Sequence, residues 1–279
     1  IPRQPRSTPI YSSEASDVYK RQDLTGEWWA TGGTVLKENH ETDPSRRYKL
    51  LYTDIFGVQS PERLVEDAKA HKLRPGICIA YSPDGVHWTP HGTNPVIEGE
   101  SDTMNTMFWD EQLERYVLFM RPPVYAGRWK RRVARAESPD LIRWSFPETV
   151  VTPDELDPVE MYGMPVFPYE GIYFGLLQMY YSDTSMTIDT QLTFSRDGIL
   201  WDRLPTRETF MERGIEHGQA REFDRGMLFP LPPVTVGDEL WFYYTGLKYR
   251  ASSHYVGTYP DGEIAPIPGL DLDLSLIHI

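Results

Sequence analysis

The sequence predicts an all-β fold in which one four-stranded sheet is repeated along the chain, on two observations. The first is a recurring turn motif. Ser82-Pro83-Asp84-Gly85-Val86-His87-Trp88 returns as Ser138-Pro139-Asp140-Leu141-Ile142-Arg143-Trp144 and as Ser195-Arg196-Asp197-Gly198-Ile199-Leu200-Trp201. The steps are about 56 residues (82 to 138) and 57 residues (138 to 195). A weaker fourth copy is Tyr259-Pro260-Asp261-Gly262. The second observation is a set of apolar runs between the copies, at 47–52, 115–120, 171–176 and 239–244. Three of them follow another apolar run, at 106–109, 165–167 and 227–236, the last interrupted by prolines. Two hairpins per period is the size and make-up of one β-propeller blade, and about four blades are visible.

Each turn copy has a physical reason. Asp bonds its own backbone and Gly supplies a positive φ, which together close a tight hairpin. Trp stands three residues beyond the turn glycine in the first and third copies, placed to pack back across the hairpin. The turn therefore accounts for Asp84, Asp140 and Asp197 without invoking chemistry.

Taken in order, residues 1–22 and 274–279 resemble translated sequencing-adapter sequence, and are set apart as leader and tail. Residues 23–273 then form one incomplete propeller domain. The first blade opens with strands at 34–37 and 48–55. Ser60-Pro61-Glu62 starts a helix over 61–72, with Ser as cap and Pro in the first turn. Leu64, Val65 and Ala68 share one side of it, and Pro75-Gly76 follows its end. The second blade runs from 102 to 152, the third from 160 to 206, and the fourth starts near 224.

Composition narrows the partners. Acidic residues number 41 against 28 basic ones, a net charge of −13. Such a surface opposes binding of nucleic acid through its phosphates and leaves a neutral sugar open. Cys78 is alone, so no intrachain disulfide forms. The longest apolar run, near 172–181, is too short to cross a bilayer. There is no HExxH, no close His pair and no Cys cluster, so nothing points to zinc or another metal. Neither a glycine-rich phosphate loop nor a GxSxG elbow occurs, and no cofactor is implied.

The candidate chemistry lies just before the first strand of each blade, where a propeller brings its blades together. Glu27 (flanked by Trp28 and Trp29), Asp102, Glu160 and Asp224 each hold that place. Acids before strands are also ordinary solvated loop residues, and only the repeated position singles out this set. Two or three carboxylates around one pocket are what glycoside hydrolysis needs. Asp102, Glu160 and Asp224 are the catalytic candidates; Glu27, Trp28, Arg121 and Tyr162 are the candidate substrate contacts. One of Arg121, Arg131, Arg132 and Arg135 is expected to pair with an acid and keep it ionised. If Glu160 is the general acid, its carboxyl should be part-buried or near another carboxylate, so that it keeps its proton.

The order first-strand acid, apolar hairpin, Ser-x-Asp-Gly-x-x-Trp resembles the five-bladed propeller glycosidases. These are the invertase and levanase type (glycosyl hydrolase family 32 N-terminal domain) and their arabinanase, xylosidase and mannoside-phosphorylase relatives. Met164-Pro165-Val166-Phe167, followed by Tyr169-Glu170-Gly171-Ile172-Tyr173, looks like that group's third blade. The resemblance covers roughly 24–262 and implies five blades in the full-length protein, a carbohydrate substrate and a glycosidase activity. The chain departs from the family's motifs. It has no Asn-Asp-Pro-Asn-Gly and no Arg-Asp-Pro; Ser101-Asp102-Thr103-Met104-Asn105-Thr106 stands in the second region and Gly163-Met164-Pro165 replaces Glu-Cys-Pro. The alternative is a non-catalytic carbohydrate-binding or scaffold propeller.

Overall fold

A computed structural model of the chain describes residues 31–39, 41–56, 74–99, 101, 103–122, 131–157, 160–182, 184–214 and 222–247. The expected helix at 61–72, the fourth turn copy and both terminal segments lie outside these residues. Within them the fold is all-β, with two short 3-10 turns at Pro44–Arg46 and Glu222–Asp224.

Strands group in fours, as the repeat predicts. Sheet one has β1 (Thr31–Lys37), β2 (Tyr48–Phe56), β3 (Arg74–Ser82) and β4 (Thr89–Pro90) in that order, with β5 (Ile97–Glu98) also on β3. Sheet two has β6 (Thr106–Asp110), β7 (Arg115–Met120), β8 (Val133–Ser138) and β9 (Glu148–Val151), again in order. In sheet three, β10 (Glu160–Gly163) and β11 (Val166–Tyr169) both pair with β12 (Ile172–Tyr180) and form one interrupted first strand. Then follow β13 (Ile188–Ser195) and β14 (Asp202–Arg203). All pairings within these three groups are antiparallel.

The last region keeps the hairpin read from the sequence, 227–236 returning through a turn at 237–238, but in two pieces. β15 (Met227–Pro230) pairs with β18 (Tyr244–Leu247), and β16 (Val234–Val236) with β17 (Glu239–Trp241), in registers that differ by one residue. The ladder runs on to Leu231 N, which donates to Tyr243 O, and is interrupted at Pro232 and Pro233, which have no N–H to donate. One parallel bridge, Ile188 to Met227, joins β15 to sheet three.

The core lies between sheets. On β7, Tyr116, Leu118 and Met120 pack with Leu51, Ile77 and Ile79 of sheet one. The alternate residues Val117 and Phe119 pack with Met161, Met164 and Leu177 of sheet three. Side chains alternate across a strand, so a strand apolar at every position is one buried on both faces. That explains the unbroken run Tyr-Val-Leu-Phe-Met.

The turn motifs join the third and fourth strands of each sheet. In the first, Asp84 Oδ1 accepts from the backbone N–H of Val86 and His87, both at 2.8 Å, and Ser82 Oγ accepts from Gly85 N at 2.9 Å. The third repeats this with Asp197, Ile199, Leu200 and Ser195. The bond from the His87 ring, then the backbone donors, hold the Asp84 carboxyl well below the usual carboxylate range. The Leu200 and Ile199 N–H groups do the same for Asp197. Gly85 and Gly198 have φ of 80° and 71°; the second copy has Leu141 there, at 70°. The tryptophans tuck back: Trp88 is buried on Tyr52, Cys78 and Ala80, and the indoles of Trp144 and Trp201 donate to Leu141 O and Gly198 O.

Candidate functional site

The first strands of sheets one, two and three meet at the segment leading into β6. Asn105, fully buried, is its centre. Its Nδ2 lies 3.0–3.1 Å from four acceptors: Gly32 O, Thr53 Oγ1, Ser101 O and Thr103 O. An amide nitrogen carries two hydrogens, so the four share them. Its Oδ1 accepts from Ser101 Oγ at 2.6 Å, and its backbone N–H donates to Gly32 O at 3.0 Å. Thr103 sits between two glycines of neighbouring strands. A Cβ on Gly32 would come within 2.0 Å of Thr103 O, and one on Gly163 within 2.3 Å of Thr103 Oγ1. Only glycine lets three backbones come this close.

Sheet three brings the charged groups. Register slips between Met161 and Gly163 on β10, so Tyr162 is the extra residue of a bulge. A bulge re-aims a side chain and releases its carbonyl from the ladder. The Tyr162 carbonyl accepts instead from Thr103 Oγ1 at 3.0 Å and from the Arg121 guanidinium at 3.4 Å. Arg121, buried at the end of β7, also covers the Tyr162 ring at 4.7 Å. Tyr180 and Phe229 meet that ring edge-on, at 6.0 and 5.5 Å. Packed this way, Tyr162 presents its hydroxyl, which has no hydrogen-bond partner among the described residues, rather than an open stacking face.

Glu160 opens β10 and is buried. Its Oε2 accepts from Arg131 Nη1 in an ion pair. The partner is thus a guanidinium rather than a second carboxylate. Arg131 lies over the rings of Tyr162 and Tyr180, at 5.5 and 5.4 Å, and its carbonyl accepts from Met161 N at 3.0 Å. Burial pushes the Tyr180 phenol up, against the pull of Arg131.

Asp224 is fully buried at the entry to β15, and both its oxygens are used. Oδ1 accepts from Gly214 N and Oδ2 from the Tyr244 hydroxyl, each at 3.0 Å. Asp102, Glu27 and Trp28 lie outside the described residues. Ser101, Thr103 and Asn105 were not singled out by the sequence, whereas Arg131 stood among the four arginines of which one was expected to pair with an acid, and it pairs with Glu160. The one signal for the first three was their place before β6, where only the acid drew attention. Among the described residues no group of three or more His, Cys, Asp or Glu is placed to hold a metal ion. No helix among them is long and apolar enough to cross a membrane.

No family model and no curated protein matches the chain. Solved structures do. A thermostable family-43 glycoside hydrolase matches over 84% of this chain and 67% of its own, at 13% identity and a TM-score of 0.54. The β-1,2-mannobiose phosphorylase from Listeria innocua, solved with β-1,2-mannobiose, matches over 78% and 68%, at 17% identity and a TM-score of 0.52. These two likenesses show a shared fold. A structure described simply as a glycoside hydrolase is similar over 61% of this chain at 18% identity and a TM-score of 0.46; the chain spans 47% of its length.

Proposed function

We propose that this chain is a β-propeller acting on carbohydrate as a glycosidase-type enzyme, with Glu160 as its best-placed carboxylate. The repeat, the cores between successive sheets and the meeting of their first strands support a propeller of about four blades here, and the resemblance named above supports five in full length. The observation that carries the functional reading is Glu160 itself. It is a buried carboxylate at the start of a first strand, one oxygen held by Arg131, beside a re-aimed tyrosine with an unclaimed hydroxyl. Fixed carboxylates next to hydroxyl and guanidinium donors are the equipment for binding a sugar ring and splitting its glycosidic bond. Asp102 and Asp224 complete the proposed catalytic set, and Arg121, Tyr162, Glu27 and Trp28 the proposed contacts.

The test is turnover of a panel of aryl furanosides and pyranosides by the protein and by Glu160→Gln, Asp102→Asn and Asp224→Asn. A general acid or base is worth about 10²–10⁴ in rate. A loss of that size in Glu160→Gln, with thermal stability kept, is expected; unchanged turnover removes Glu160 from the chemistry.

One observation favours a second reading, a non-catalytic carbohydrate-binding propeller. Both Asp224 oxygens are committed to Gly214 and Tyr244, which suits a structural acid. Saturable glycan binding without turnover on any substrate would select it.

A further inference from the structure

Glu160 has two oxygens, and the protein treats them differently. Oε2 receives the Arg131 guanidinium, whereas Oε1 has no hydrogen-bond partner among the described residues. Arg131 is itself held on three sides. Its guanidinium lies over the Tyr162 ring and over the Tyr180 ring, and its carbonyl is tied to the N–H of Met161, the residue after Glu160. The backbone tie sets the root of the side chain beside the carboxylate, and the rings set the plane of its tip. A planar, five-donor guanidinium stacked on aromatic faces keeps its direction in a way a lysine ammonium does not.

We propose that Arg131 is a positioning residue for the proposed glycosidase reaction: it holds Oε2 of Glu160 and so aims Oε1 at the substrate. The inference rests on the reading of Glu160 as catalytic. Whichever part a carboxyl plays in glycoside hydrolysis, one of its oxygens must face the proton, water or anomeric carbon it acts on. A guanidinium bond to the other oxygen supplies that direction. The groups that hold Arg131 come from different elements: Tyr180 from β12 and Tyr162 from the strand of Glu160, with Arg121 beyond Tyr162.

The experiment measures kcat and KM separately for the wild type, Arg131→Met, Arg131→Lys and Glu160→Gln, on whichever glycoside of the panel is turned over. In Arg131→Met kcat should fall more than tenfold with KM little changed, because aim is lost rather than binding. Arg131→Lys keeps the charge without the planar fork and should recover only part of kcat. If Arg131→Met fails to fold, the Lys variant carries the test: full wild-type kcat in it overturns the role in aiming. Wild-type kcat in Arg131→Met, or a rise in KM with kcat kept, overturns the inference while Glu160→Gln still reports that Glu160 is needed. Wild-type turnover in Glu160→Gln, or no turnover on any glycoside, sinks the underlying reading and this inference with it.

Discussion

Leu141 carries two opposed effects in one residue. It takes φ 70° where the sibling turns have glycine, and its side chain is fully buried. The left-handed backbone costs an L-residue about 1–2 kcal/mol, which Leu141→Gly would relieve. Deleting a buried leucine side chain costs about 2–5 kcal/mol. Lost packing outweighs relieved strain, so Leu141→Gly should lower stability by roughly 1–3 kcal/mol in urea denaturation; a gain in stability would reverse that order. At this scale the turn residues were readable because the whole motif is local. The Asp-to-backbone bonds span two or three residues, and spacing alone displays them. Which site residues meet was not readable, for the opposite reason. Asn105 meets Gly32 and Thr53 across more than fifty positions, and Arg131 meets Glu160 across 29. No periodicity records such a meeting. Nothing in the sequence marks Gly32 and Gly163 as points of close approach, because Thr103 reaches them only in the fold.

The connection from β9 to β10 hangs on one buried ion pair at Asp157. Asp157 pins it to the outer strand of sheet three: Arg203 gives both Nη atoms to the two Asp157 oxygens at 2.6 Å, and Gln191 holds the same guanidinium. Both side chains of the pair are almost wholly buried. Burial raises the Asp157 carboxyl, but the Arg203 bond, the backbone contact at Asp154 and the charges of Arg203 and Arg207 outweigh it and hold it below its ordinary value. A depressed folded value means stability that is present above the unfolded carboxylate's pKa of about 3.9 and lost as pH falls through the folded one. Asp157→Asn leaves the guanidinium buried without its counter-charge, a loss of about 3–5 kcal/mol. The expected result is a deficit of that size at pH 7 which shrinks steadily below about pH 4, read by denaturation across pH; a deficit independent of pH would assign the latch to packing. Strand positions themselves were legible, since apolar runs bounded by turn residues are a local signal. The β10 bulge and the break in the last hairpin were less so. A bulge is one residue of slip against a distant strand, and the prolines at 232 and 233 mark an interruption without giving the register on its far side.

Across the whole molecule, the repeat of about 57 residues announced sheets of four, and the chain forms them in order. How one sheet sits on the next was hidden, because the seam is made by side chains that the repeat does not share. Asn105 has no equivalent at the junction of sheets two and three, where Thr103 and Arg121 bind the Tyr162 carbonyl instead. A molecule joined by such seams can unfold sheet by sheet or all at once, and Asn105→Ala distinguishes the two. The substitution removes the two amide hydrogens shared among Gly32, Thr53, Ser101 and Thr103, and takes the acceptor from the Ser101 O–H, whose oxygen keeps the Arg121 N–H. Each buried polar group left unpaired costs about 1–3 kcal/mol, and local rearrangement recovers part of it, so the total should be roughly 2–4 kcal/mol. The cores between sheets tie each one to its neighbour through strands buried on both faces, as β7 shows. Loss of one seam should therefore weaken every sheet together. Urea denaturation of Asn105→Ala, followed by tryptophan fluorescence and by far-ultraviolet dichroism, should give one coincident transition with a lower midpoint and an unchanged slope. Two transitions, or probes that part company, would mean that sheet one separates from the rest once Asn105 is gone.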